Sequence, residues 1–219
     1  MTDSDAHPLE TLLHRSDELQ EALLQLVDTA TFDSSQRAEA SLGMCSVAME
    51  HAMSVRLLMT AGLTTSSVGM MRLQFEALTR AMWLLYAATD ASISKMLAPL
   101  TLESEQAAKN LPSVSEMIDQ IGEQVGIRAP ALAHQHLSHF KDVSWHAMNS
   151  YVHGGIHPLR RSADGFPAHL ASGVLRNSNA LMTMTGMTLA VLTGEESVTK
   201  PMSRIQLEFA NCLPEPLKP

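Results

Sequence analysis

Apolar residues along this chain recur at intervals of three, four and seven, the period of helices with one buried face. Leu12, Leu13, Leu19, Leu23, Leu26 and Val27 form the first stripe, opposite Arg15, Asp17, Glu18 and Glu21. They predict a helix from about Pro8 to Ala30, with Pro8 in a first turn where its missing N–H is not needed. Asp33-Ser34-Ser35 is a capping signal for a second helix, and Gly62 is its glycine C-cap. The apolar side of that helix reads Leu42, Val47, Met49, Met53, Leu57 and Leu58, with Glu50, His51 and Arg56 embedded in it. The short connection after Gly62 predicts that the third helix, Thr64 to Thr89, runs back antiparallel. Met71, Phe75, Leu78, Met82 and Leu85 are its core stripe. Pro99, Pro112 and Pro130 then break the pattern into short helices, and Ser113-Val-Ser-Glu116 is a capping box opening one through Gln124. Ala131 to Val152 is the next long helix. Gly154 to Pro167, rich in Gly and Pro, reads as a loop. Ala168 to Gly194 is the last long helix, and Pro201 to Ala210 a short final one.

Composition narrows this to an all-α fold: a bundle of about five long helices with shorter ones between. Aromatics make up 4% of the 219 residues, while Met occurs 15 times. A core poor in rings and rich in unbranched side chains suits helix-on-helix packing, and the scarcity of Val and Ile argues against a large sheet. One domain spans residues 1–219, with 1–7 and 211–219 as flexible tails. The net charge of -8 excludes a general phosphate-binding surface, though a local basic patch remains open. The acidic start MTDSDAHPLE is no signal peptide, and Cys45 and Cys212 read as reduced thiols of a cytoplasmic protein. The uncharged run from Asn177 to Gly194 is diluted by Asn, Ser, Thr and Gly, so it predicts a buried helix and no membrane partner. A Met-rich helical surface suits pairing into a homodimer.

The chemistry concentrates between Lys141 and Arg161. His139, His146 and His153 are spaced seven apart, so they share one helix face; Asp142, Asn149 and Ser150 lie on or beside it. Gly154-Gly155 ends the helix and His157-Pro158-Leu159-Arg160-Arg161 leaves it. On the third helix Arg72, Glu76 and Arg80 stand at i, i+4 and i+8, followed by Trp83. Two arginines there can share one glutamate. Six histidines lie between His134 and His157. Histidines two turns apart are roughly 10 Å apart along the axis and cannot share one ion unaided. HExxH, di-iron ExxH and CxxC patterns are missing, so neither a metal nor another cofactor is predicted. Ser144 and Ser150 lack a nucleophile-elbow context. The candidate catalytic residues are therefore His153, Asn149 and His157. The candidate ligand-binding residues are Arg72, Glu76, Arg80, Tyr151, Arg160 and Arg161, because histidine beside arginines suits an anion or phosphate.

Asn149-Ser-Tyr-Val-His153 resembles the last two elements of the motif of the all-helical HEPN superfamily, which is arginine, a polar residue, three residues and histidine. Met148 stands here at the arginine position. The resemblance implies an endoribonuclease of a toxin–antitoxin or phage-defence system, with His153 as acid–base residue and Asn149 orienting RNA. A broader resemblance, over roughly residues 40 to 195, is to uncharacterised bacterial helical families known only as domains of unknown function. It rests on Arg72, Glu76, Arg80 and Trp83 and on the segment Asn149 to Gly155. Three readings follow. The polar site binds a small anionic ligand or a nucleotide or RNA phosphate; it is an HEPN-like nuclease site; or the chain is a structural or interaction module in which His153 donates to Glu76 and ties two helices together.

Overall fold

A computed structural model describes residues 3–216. Among them the chain forms ten α-helices, a closing 3-10 turn and no strand. The first is α1 (Asp3–Gln25), so most of the stretch read as an N-terminal tail belongs to a helix. A cap at Ser35, whose side chain accepts from the Ala38 N–H, opens α2 (Gln36–Thr60). Gly62, at φ 74°, turns the chain into α3 (Thr64–Tyr86). Three short helices follow: α4 (Asp90–Leu97), α5 (Leu102–Ala108) and α6 (Val114–Glu123). The α6 capping box forms as its residues require, with Ser113 and Glu116 each accepting from the other's backbone N–H. Next come α7 (Ala131–Val152), α8 (Ile156–Asp164), α9 (Ala168–Thr193) and α10 (Glu196–Glu208).

The tightest interface joins α2 to α3, and it corrects the sequence reading of α2. Val47, Met53 and Leu57 point outward; Ala38, Ser41, Cys45, Ala48, Ala52 and Val55 face inward. Apolar residues surround this helix, so their spacing defines no face. The small side chains let the backbones approach, and Ser41 and Ser67 hydroxyls donate across to the carbonyls of Ala81 and Val55. Helix α9 packs against α1, α2 and α3, and so becomes the central strut. Gly186 permits its approach to α1, since a Cβ there would lie 2.6 Å from Leu23 Cδ2. Phe75, Leu78, Leu84, Leu175 and Met182 fill the centre. On the other flank of α3, α6 buries Met117, Ile118 and Ile121, and the Trp83 indole N–H donates to Gln120 Oε1 at 2.7 Å.

Three further expectations change. The segment read as a loop contains α8. Gly154 and Gly165, both at positive φ, are terminators on either side of it, and Pro158 sits in its first turn. Helix α10 starts before Pro201, because Val198, Met202 and Ile205 form a buried i, i+4, i+7 stripe. The expected C-terminal tail is in part anchored. Ala210–Cys212 is a 3-10 turn, Cys212 is fully buried, and Arg176 donates to the carbonyls of Asn211 and Leu213. Residues 217–219 of that expected tail lie outside the described residues, as do residues 1 and 2 of the other. No described helix is long and apolar enough to cross a membrane.

Candidate functional site

Helices α3 and α7 run antiparallel along one seam, with Gly69 beside Val152 and Phe75 beside Trp145 and Phe140. Two ladders of helical spacing meet there: Arg72 and Glu76 from α3, and Trp145, Asn149 and His153 from α7. Arg72 is the hub. Its guanidinium carbon lies 4.9 Å from the Trp145 ring centroid, within cation–π range. Its Nη1 is 3.2 Å from His153 Nε2. A guanidinium only donates, so Nε2 accepts, and the proton of the neutral imidazole resides on Nδ1. Arg72 Nε lies 2.8 Å from Glu76 Oε1, yet its N–H is not aimed at that oxygen. The contact is therefore an ion pair without a directed hydrogen bond.

His153 caps α7 and is exposed; its backbone N–H donates to the Asn149 carbonyl. Asn149 is half-buried, and its Oδ1 is enclosed without a hydrogen-bond partner. Met148, which precedes Asn149 in sequence, is 1% exposed. The position that would carry the motif arginine thus faces the core, away from His153.

The remaining predicted residues separate from this hub. The expected shared ladder does not form: Glu76 pairs with Arg72, while Arg80, with a buried Nε, makes no ion pair among the described residues. Nor does His153 meet Glu76; Arg72 stands in that place. Arg160 turns outward to pair with Asp164 at 2.7 Å on the surface of α8. Tyr151, His157 and Arg161 form a second cluster. The Tyr151 and His157 rings are 5.8 Å apart. Burial pushes the Tyr151 phenol up, and the nearby Arg161 guanidinium opposes that shift. The His157 backbone N–H donates to Ser150 Oγ, which locks the α7–α8 corner. Tyr151 also lines a shallow hollow of about 330 Å³ with Thr65, Gly69, Met70, Gly154 and Pro158. Among the described residues no three His, Cys, Asp or Glu side chains converge as a metal site would need.

The model of DUF6988, a family of unknown function, matches residues 45–215. The chain belongs to that family. No curated protein and no solved structure matches it. The DUF6988 match takes in all of α3 and α7, and therefore both clusters. Sequence reading found Arg72, Glu76, Asn149 and His153, while Trp145 was not among its candidate site residues. Its role as the platform under Arg72 joins positions 73 residues apart (145 minus 72), a pairing no local spacing announces.

Proposed function

We propose that the α3–α7 seam binds the anionic group of a small ligand or nucleotide. The observation that carries this is Arg72, held over Trp145, against His153 and paired with Glu76, beside an Asn149 oxygen that is enclosed and unpaired. Buried polar atoms without partners mark a place where a ligand or water supplies the bond. A guanidinium already oriented by a carboxylate and an aromatic face offers its remaining donors in a fixed fork, the geometry that suits phosphate and carboxylate. Asn149 would accept from a hydroxyl or amino group of the same ligand, and His153 would close the open side. Buried free thiols at Cys45 and Cys212 support a cytoplasmic setting.

Calorimetric titration with inorganic phosphate and with AMP tests this reading. Arg72→Gln should weaken binding by about tenfold or more, since a charge-assisted contact is lost. No heat with either probe, or equal affinity in the variant, would sink it.

One contact favours a second reading, the HEPN-like endoribonuclease. Arg72 brings to His153, across the seam, the positive charge that Met148 cannot supply. Purified protein incubated with total RNA should then cleave it, and His153→Ala should abolish cleavage with the melting temperature unchanged. Intact RNA with the wild type leaves the binding reading alone.

A further inference from the structure

The outward side of α2 carries large apolar residues that none of the described residues covers. Met53 is 44% and Leu57 64% exposed, and Leu24 of α1 beside them is 41% exposed. Together with Leu13 they floor a groove of about 580 Å³ between α1 and α2. The groove exists because α1 leans on α9 and touches α2 only lightly. Arg56 is the tie between them. It is buried, donates to Asp17 Oδ1 at 2.7 Å and to Gln20 Oε1, and reaches the Ala52 carbonyl of its own helix. This clamp holds the two walls apart at a fixed width, so the groove is built into the fold.

Its rim is acidic. Asp17 and Glu21 of α1 and Asp28 just beyond its end line one side, and Arg56, already paired with Asp17, is the only basic residue lining the groove among the described residues. From Leu13 to Gln25 the α1 wall is about 18 Å long, enough for roughly three turns of a docked helix. We propose that this groove receives an amphipathic basic helix of a partner protein. Its apolar face, spaced i, i+3, i+4, i+7, would lie on Leu24, Met53 and Leu57, with Lys or Arg residues against Glu21 and Asp28. The charge selects this occupant. A second copy of a chain of net charge -8 would bring its own acidic rim to the contact, and an anionic bilayer is repelled for the same reason.

The test uses the full chain and a fluorescein-labelled 18-residue peptide of Leu and Lys with that apolar spacing, read by fluorescence anisotropy. A matched peptide with Glu in place of every Lys is the control. The basic peptide should bind and the acidic one should not. Leu57→Glu, at an exposed position that needs no refolding, and the pair Glu21→Lys with Asp28→Lys should each weaken binding by about tenfold or more. Absence of binding, equal binding of both peptides, or indifference to Leu57→Glu overturns the proposal. So does sedimentation showing a wild-type dimer that Leu57→Glu dissociates, which would assign the groove to a second copy, or wild-type protein pelleting with phosphatidylserine vesicles.

Discussion

Met148 shows how much one residue's surroundings decide. It precedes Asn149 where the HEPN motif has arginine, so Met148→Arg would complete that motif on paper. The side chain is 1% exposed in the α7 core face. A guanidinium there would be buried without a carboxylate, at a cost of about 3–5 kcal/mol. Urea unfolding should show that loss and RNA assays no gain of cleavage. A Met148→Arg protein as stable as wild type would mean that the position can reach solvent. Cys45 is a comparable case. Burial pushes its thiol up to about 12, which makes it a packing residue in the α2–α3 interface instead of a nucleophile. At this scale the chain was partly legible. The Arg72–Glu76 pair follows from i, i+4 spacing alone. The sharing of Glu76 with Arg80 has the same spacing and does not occur, because helical periodicity sets which residues are near and not which rotamer each adopts.

Among elements, α7 is the one that carries most of the histidines of the candidate site region. Only Leu137 and Met148 are buried; His139, His146 and His153 lie exposed along it, and His136 is solvent-exposed while the protein atoms packed around its ring still desolvate it in part. Partial burial, and secondarily His139, hold the His136 imidazole below its ordinary 6.5. The fold therefore favours the neutral ring. Its contribution to stability is complete above the unfolded value near 6.5 and is lost as pH falls through the lower folded value. Melting temperatures taken at about pH 7.5 and 5 should fall on acidification, and His136→Gln should shrink the drop. Equal drops in the two proteins would remove His136 as a contributor. Helix α7 was also the element read most accurately, from Ala131 to Val152, since Pro130 and Gly154 bound it. Helix α8 was missed because glycines that terminate helices on both sides look, in sequence, like the glycines of a loop.

Over the whole molecule, buried polar pairs lock the helices together. Gln74 and Ser178 exchange two hydrogen bonds between α3 and α9. Asn179 donates to Ser16 Oγ at 2.8 Å and to the Cys212 carbonyl at 2.9 Å, joining α1, α9 and the closing turn. Asn179→Ala should cost about 1–3 kcal/mol in urea unfolding, because it removes two buried hydrogen bonds and leaves the Cys212 carbonyl without its donor, while Ser16 Oγ keeps its bond to the Leu12 carbonyl. A change near zero would mean that Arg176 and Arg15 hold the C-terminal turn without Asn179. These contacts span 33 to 163 residues, beyond the reach of any helical repeat. By itself the sequence determined what is local: an all-helical chain, the bounds of α2, α6, α7 and α9 through their caps, prolines and glycines, and the i, i+4 neighbours within each helix. Only the tertiary structure decided which face of α2 is buried, that Arg72 sits between Trp145 and His153, and that α1 stands off α2 to leave a groove. Those outcomes depend on how closely whole helices pack, which small residues such as Ala48 and Gly186 set through backbone approach, leaving no mark in the hydrophobic period.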